Sequence, residues 1–448
     1  MKKLLAALLV AAVACAQAQA APPSFTLSLL NAERQALAFS PELQAAQIQA
    51  KAAEQSFFSA HAGLYPKLSL EGNYKYVARV AQISQPNGST IQLGDYNNYS
   101  IGPTLSWTLW DNGSLSESSR AAEADLRSKK AQADAISRKI RLNTRLAYVR
   151  ALLANDRTRL VADGLRIVRS QHRDIQTSVK AGGKNRIDEL VAHREVLART
   201  NQISRARAEL SSALLELGAL TGIQRYSFQQ PFPDKAELPE DLPWVSESIS
   251  LDDFNTVLSE IKVSDSPDLS SPSLRALEET AQALKLAALA LESARGPKLQ
   301  LTARSSLDFP NGPQLYAYGQ NTAGVALSMP LFEKGKTLAQ AEEKRLMSEA
   351  GTRSRAQLEL DIRRDWSKAQ TQLNALFYQQ RVNIQTIAEA QDLAGMMYRA
   401  YKDGRYTYFD VESSNLRTLE AQLQAADTAS QILSQQALLS SISSEEHK

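Results

Sequence analysis

The chain repeats itself, and that duplication limits what it can fold into more than any other feature of its sequence. SPELQAAQIQAKAAEQSFFSAHAGLYPKL, beginning at Ser40, aligns without a gap on SPSLRALEETAQALKLAALALESARGPKL, beginning at Ser271, at an offset of 231 residues. Later landmarks recur at an offset of 222: Gly102 on Gly324, Leu109 to Gly113 on Leu331 to Gly335, and VKAGGKNRIDEL from Val179 on YKDGRYTYFDVE from Tyr401. The nine-residue difference falls between Leu68 and Gly102. That segment is therefore a loop of variable length, facing solvent.

Between helical flanks each copy holds two segments of period two. In the first, Leu68, Leu70, Gly72, Tyr74 and Tyr76 alternate with Lys67, Ser69, Glu71, Asn73 and Lys75. Further on, Tyr99, Ile101, Pro103, Leu105, Trp107 and Leu109 alternate with Ser100, Gly102, Thr104, Ser106 and Thr108. The second copy sets Leu299, Leu301 and Ala303 against Lys298, Gln300, Thr302 and Arg304, and Ala323, Val325, Leu327, Met329 and Leu331 against Gly324, Ala326, Ser328 and Pro330. These patterns predict strands over about 67–79, 99–110, 298–308 and 322–331, each with an oily face and a polar one. Strands of about 10 residues can cross a bilayer when tilted, and Tyr74, Tyr76, Tyr99, Trp107, Trp110, Tyr316 and Tyr318 could supply interfacial aromatics. A soluble antiparallel sheet with one face on a helical core alternates as cleanly. An N-terminal export signal and the shortage of other core-forming β segments favour the membrane. Four strands cannot close a barrel, and lipid tolerates no open sheet edge, where each unpaired backbone group costs several kcal/mol. The membrane reading thus requires a barrel shared between chains.

The export signal is MKKLLAALLVAAVACAQAQA, residues 1–20: Lys2 and Lys3, an apolar run from Leu4 to Ala14, and a small-x-small site at Ala18 to Ala20. Cys15, the only cysteine, lies within it, so a chain cleaved after Ala20 has no disulfide, thiol nucleophile or thiolate ligand. A second reading makes Ala12 to Cys15 a lipoprotein box with Cys15 lipidated, although the large aliphatic residue that favours such a box is missing. No later apolar run approaches the roughly 20 residues of a spanning helix. The net charge of +3 over 448 residues, about +1 without the leader, gives no reason to expect nucleic acid. With 43% hydrophobic and only 6% aromatic residues, the composition suits long helices. Gly335-Lys336-Thr337 ends like a phosphate loop, but Pro330 occupies the place of its first glycine. His61, His172, His193 and His447 show no metal-ligand spacing. The expectation is a protein without catalysis, cofactor or metal.

From Leu115 to about Lys180, and from Lys336 to about Lys402, the sequence runs some 67 residues without proline, on the order of 100 Å of helix. Shorter helical tracts flank each: Leu27 to Ala62 and Arg186 to Leu220 in the first copy. The breaks at 180–186 and 402–408 read as the tips of helical hairpins. Gly182 and Gly404 can end one helix in the left-handed conformation, while Asn185 and Thr407 begin the next as N-caps. Asp188 and Asp410, three residues on, can reach back to the cap and complement the helix dipole. In the last helical tract Leu416, Leu419, Leu423, Ala426, Ser430, Leu433, Ala437 and Ser440 form a three-four seam. The copies span 21–225 and 271–443, joined by a proline-rich and acidic connector, 226–270, with a short helix around Leu251 to Ile261; 444–448 is a tail.

In the order and double occurrence of these parts the chain resembles the TolC-like outer-membrane efflux and secretion channels. The phrases Pro-Lys-Leu entering a strand, at Pro66 and Pro297, and Pro-Leu-Phe-Glu-Lys-Gly leaving one, from Pro330, belong to the resemblance; the first copy has Thr108 in place of Pro330. It implies a mainly α protein with a membrane β-barrel: a homotrimer whose twelve-stranded barrel in the outer membrane of a Gram-negative bacterium continues into a periplasmic α-helical barrel. It also implies lipid around the barrel and a periplasmic adaptor with an inner-membrane pump of RND, ABC or MFS type as partners. The hairpin tips, with Gly182, Gly183, Asp188 and Gly404, would dock the adaptor. An aspartate matching Asp410 would ring the narrow entrance and favour cations, and Tyr401 matches a tyrosine of the family's latch. The family's latch arginine is replaced here by Tyr406, with Arg405 one residue early, and a second ring aspartate by Ser413. The competing reading is a soluble periplasmic coiled-coil adaptor.

Overall fold

A computed structural model describes residues 25–86, 88–223 and 249–443. The leader, Cys15, the C-terminal tail with His447 and most of the connector lie outside the described residues. In the first copy come β1 (Phe25–Leu27), α1 (Leu29–Phe39), α2 (Pro41–Ala62), β2 (Lys67–Tyr76), β3 (Gln82–Ser84), β4 (Thr90–Gln92), β5 (Asn97–Trp110), α3 (Ser114–Lys180) and α4 (Arg186–Thr221). The connector gives β6 (Ile249–Leu251) and α5 (Phe254–Glu260). The second copy follows with α6 (Pro272–Ser293), β7 (Lys298–Phe309), β8 (Tyr318–Ser328), α7 (Lys336–Lys402) and α8 (Tyr408–Ile442). Two compact units each draw on both copies: residues 44–135 with 270–360, and the rest.

The first unit holds a four-stranded antiparallel sheet, ordered β2-β5-β7-β8. Its register keeps the two faces distinct. One row across the strands is Leu68, Leu105, Ala303 and Ala323; the next on the opposite face is Ser69, Thr104, Arg304 and Thr322. On the polar face Arg304 donates to Ser100 Oγ at 2.7 Å, Ser100 donates to Asp308 Oδ1 at 2.5 Å, and Arg304 lies 3.6 Å from Glu71. The apolar face is bare, with Leu68, Leu70 and Leu327 at 70%, 73% and 70% exposure. A soluble sheet would pack that face on helices, whereas here Leu68, Leu70 and Leu327 are left uncovered within the chain, which favours the membrane reading of the alternation. Gly102 is required where β5 and β7 close on each other, since a Cβ there would sit 2.0 Å from the Ser305 carbonyl oxygen.

Several boundaries differ from the alternation: β8 begins early, at Tyr318, and β5 at Asn97. β2 stops at Tyr76, and the variable loop carries a small antiparallel hairpin, β3 with β4. β8 stops at Ser328 although its alternation runs on to Leu331, because β7 begins at Lys298, opposite Ser328, and offers nothing further to pair with. Around the sheet the helices meet through small residues. Ser128 Oγ donates to the Ala276 carbonyl at 3.0 Å, and Ser348 Oγ to that of Ala281 at 2.7 Å.

In the second unit α3 and α7, both of 67 residues, run toward the tips and α4 and α8 return. Its largest core gathers on Tyr148, which is fully buried. The Tyr148 hydroxyl donates to the Leu27 carbonyl at 2.8 Å and accepts from the Asp252 amide at 2.9 Å. Burial pushes the phenol well above its ordinary pKa. This knot corrects two expectations. Leu27 ends a strand that pairs parallel with β6 rather than opening a helix, and Leu251 belongs to β6, so the connector's helix starts at Phe254. The seam on α8 is also wider than a single stripe. Leu419, Leu433, Ala437 and Ser440 are buried and Leu416 is exposed, while Val411, Ser414, Thr428 and Ile432 bury a second row.

Candidate functional site

The two hairpin tips are built alike. α3 closes with Gly183 N donating to Ser178 O at 2.8 Å and Gly182 N to Val179 O at 3.0 Å; α7 closes with Arg405 N to Ala400 O at 2.9 Å and Gly404 N to Tyr401 O at 3.0 Å. Gly182 and Gly404 take φ of +77° and +78°, the left-handed position where a Cβ is strained. Asn185 caps α4 by accepting from the Ile187 amide at 3.2 Å. At the second tip Asp410 Oδ2 accepts from the Thr407 amide at 3.0 Å and from its hydroxyl at 2.7 Å. Those bonds hold the Asp410 carboxyl below its ordinary pKa, the hydroxyl contributing most.

Asp188 departs from this symmetry. Instead of reaching back to its own cap, it accepts from the Tyr401 hydroxyl at 3.2 Å, tying the second hairpin to the first. Tyr401 is 3% exposed within a cluster of Ile175, Ala192, Tyr408 and Val411. Burial first, then the Asp188 charge, raises its phenol far above the usual range. Lys184 completes the clasp: its Nζ donates to the Tyr401 carbonyl at 2.8 Å and lies 4.2 Å from the ring centroid. Further bonds join the hairpins. Tyr398 donates to Asp174 at 2.7 Å, Arg194 reaches both oxygens of Glu412 at 2.7 and 2.8 Å, and Asn415 and Tyr408 share Gln171 Oε1. The tyrosine hydrogen bond is the chief reason that the Asp174 carboxyl titrates below its ordinary value.

The sequence thus singles out Tyr401 and Asp188 separately, and the fold brings them together. Arg405 and Tyr406 stand exposed at the turn, outside the clasp. Lys184, Asp174 and Tyr398 escape sequence reasoning, because their partners come from the other hairpin more than 200 residues away. Behind the tips a cavity of about 400 Å³ opens among α3, α4, α7 and α8, where Gly164 and Gly395 leave room and the buried Arg199 and Gln171 line it. Among the described residues no cluster of His, Cys, Asp and Glu could hold a metal, and His172 and His193 lie side by side with ring centroids 5.3 Å apart and planes tilted by 40°.

Residues 32–223 match the outer membrane efflux protein family. The alkaline protease secretion protein AprF of Pseudomonas aeruginosa is 27% identical over 323 residues, 70% of this chain and 63% of AprF. The chain therefore spans less than two thirds of that relative's length. Among solved structures, CusC superposes with a TM-score of 0.74 at 16% identity, covering 96% of this chain and 95% of CusC. The Campylobacter jejuni CmeC outer membrane channel gives 0.71 at 15% identity, over 94% and 87%. Residues 32–223 are thus similar to the outer membrane efflux protein family, and the chain shares the fold of the solved outer-membrane channel structures CusC and CmeC.

Proposed function

We propose that this protein is the outer-membrane exit duct of a tripartite efflux or type I secretion system, working with a periplasmic adaptor and an inner-membrane pump of RND, ABC or MFS type. One observation carries the reading: a four-stranded sheet with a bare apolar face, a polar opposite face and two unpaired edges. In lipid such edges must pair, and three copies supply twelve strands that close a barrel, apolar outside and polar within. The protein is then a homotrimer in the outer membrane of a Gram-negative bacterium, its long helices forming the periplasmic tunnel. It is a passive conduit with neither cofactor nor catalytic step. The name of AprF supports polypeptide cargo, and the family's name supports efflux of small molecules.

At the tips, Asp410 is the residue for a ring of carboxylates around the entrance, and Tyr401 is the latch, supported by its bond to Asp188. Arg405 and Tyr406, exposed at the same turn, are gate residues for contacts between copies. The tip surfaces with Gly182, Gly183, Asp188 and Gly404 receive the adaptor. Extraction from outer membranes as a heat-labile oligomer that conducts ions in a planar bilayer supports the duct; recovery as a soluble monomer overturns it. In that bilayer Asp410→Asn weakens block by multivalent cations, and unchanged block removes the ring.

A further inference from the structure

We propose that the cavity behind the tips is a binding site for a small amphipathic carboxylate, with an apolar body and one acidic end, and that Arg199 receives the acid. The cavity holds about 400 Å³, within the range of small-molecule pockets, and α3, α4, α7 and α8 form it inside one compact unit. The site belongs to a single chain and does not depend on the barrel or the trimer.

Two glycines keep the space open. Gly164 lies in the interior of α3 and Gly395 in that of α7, and neither takes a left-handed φ. Packing does not require them either. A Cβ at Gly164 would reach only the Leu419 side chain, at 4.0 Å, and one at Gly395 would meet nothing within 4 Å. Glycine inside a helix lowers its stability relative to alanine, so both positions weaken their helices with no close approach in return. What they provide is the cavity itself. Around them Leu160, Ile167, Val168, Ala394 and Leu419 supply an apolar wall.

Arg199 gives that wall its chemistry. It lines the cavity at 4% exposure, yet its guanidinium makes only two described bonds, Nη1 to Gln202 at 3.0 Å and Nη2 to Glu195 Oε1 at 3.4 Å. A guanidinium carries five N–H donors, so most of this one meets no acceptor among the described residues. Other polar groups of the lining are engaged: Asn415 with Gln171, Tyr398 with Asp174, Thr418 with the Ala390 carbonyl. Glu195 is a weak counter-ion. Burial pushes its carboxyl up, and its Oε2 is buried with no hydrogen-bond partner among the described residues. A buried guanidinium with idle donors suits an incoming carboxylate, whose two oxygens fit its planar fork. Asp163, the acid in the lining, is half-exposed and paired with Arg166 at 2.9 Å, so it leaves Arg199 free for the ligand.

The full chain, purified in detergent, is titrated calorimetrically with 2-naphthoate and with its neutral amide, 2-naphthamide, against detergent alone as background. Amide exchange then locates the bound probe. 2-Naphthoate should saturate at submillimolar concentration, bind at least about tenfold more tightly than the amide, and slow exchange in 160–171 and 415–422. Gly395→Leu fills the open space while favouring the helix, and should weaken 2-naphthoate at least about tenfold. Equal affinity for acid and amide, protection elsewhere in the chain, or no saturable binding at millimolar probe overturns the site. So does a Gly395→Leu chain that binds as wild type does. The comparison of the two probes and the exchange footprint need no variant, so they decide the matter even where Gly395→Leu folds poorly.

Discussion

Tyr401 is one of the residues that join the two hairpins, and its contacts can be removed one at a time. Tyr401→Phe keeps the ring, its buried packing and the Lys184 ammonium, and loses only the hydroxyl that Asp188 accepts. A net hydrogen bond of about 1 kcal/mol predicts amide exchange roughly fivefold faster in the last turns of α7. Exchange unchanged from wild type would show that the bond does not hold the tip. His172 gives the same region a pH dependence. Burial lowers its pKa from 6.5, the adjacent His193 lowers it further and Glu189 opposes them; Glu189 itself is engaged by Arg186. The folded state therefore takes up this proton less readily than the unfolded chain. Stability from this group is complete above the unfolded value of 6.5 and falls as pH drops through it toward the lower folded value. Protection of the α3–α4 tip should therefore decline as pH falls below 6.5, and His172→Gln should flatten the decline. An equal slope in the variant would assign the pH dependence to another group.

At the scale of elements, equivalent positions in the two copies need not do equivalent work. Asp410 completes a cap with Thr407, whereas Asp188 has left that role to Asn185 and serves the other hairpin. Thr407→Ala should therefore loosen the first turn of α8 by about 1 kcal/mol, and Asp188→Ala should leave the first turn of α4 intact while freeing Tyr401. Amide protection in the two first turns distinguishes these outcomes, and fraying of α4 in Asp188→Ala would restore the symmetric capping role. The difference also marks what a sequence makes legible. Alternation from Leu68 to Tyr76 and the proline-free runs ending at Lys180 and Lys402 locate strands and long helices, because periodicity and breakers are local. The end of β8 is not legible, since Met329 to Leu331 alternate well but lack a neighbour. Nor are β1 and β6: three residues each carry no period, and the Tyr148 hydroxyl that braces Leu27 and Asp252 comes from a helix more than 100 residues distant from either.

For the whole molecule, the proposal that the sheet's two faces meet two solvents is testable without knowing the cargo. The row through Leu68 and Leu105 is oily and bare, while the row through Arg304 is a network of charge and hydroxyls. In a helical protein without any helix apolar enough to cross a membrane among its described residues, this sheet is the described part suited to lipid. A lysine placed in the middle of β2 on the oily face must enter hydrocarbon, a penalty of about 2–4 kcal/mol near the midplane and incurred once per copy. Leu70→Lys should therefore reach the outer membrane poorly and give little heat-labile oligomer. Gln300→Lys adds the same charge to the polar face of β7, beside Thr108 and Ala326, and should assemble as wild type does. Equal assembly of the two variants would mean that the bare face meets water or protein rather than lipid. It would return the sheet to a soluble role and leave its exposed leucines needing another partner.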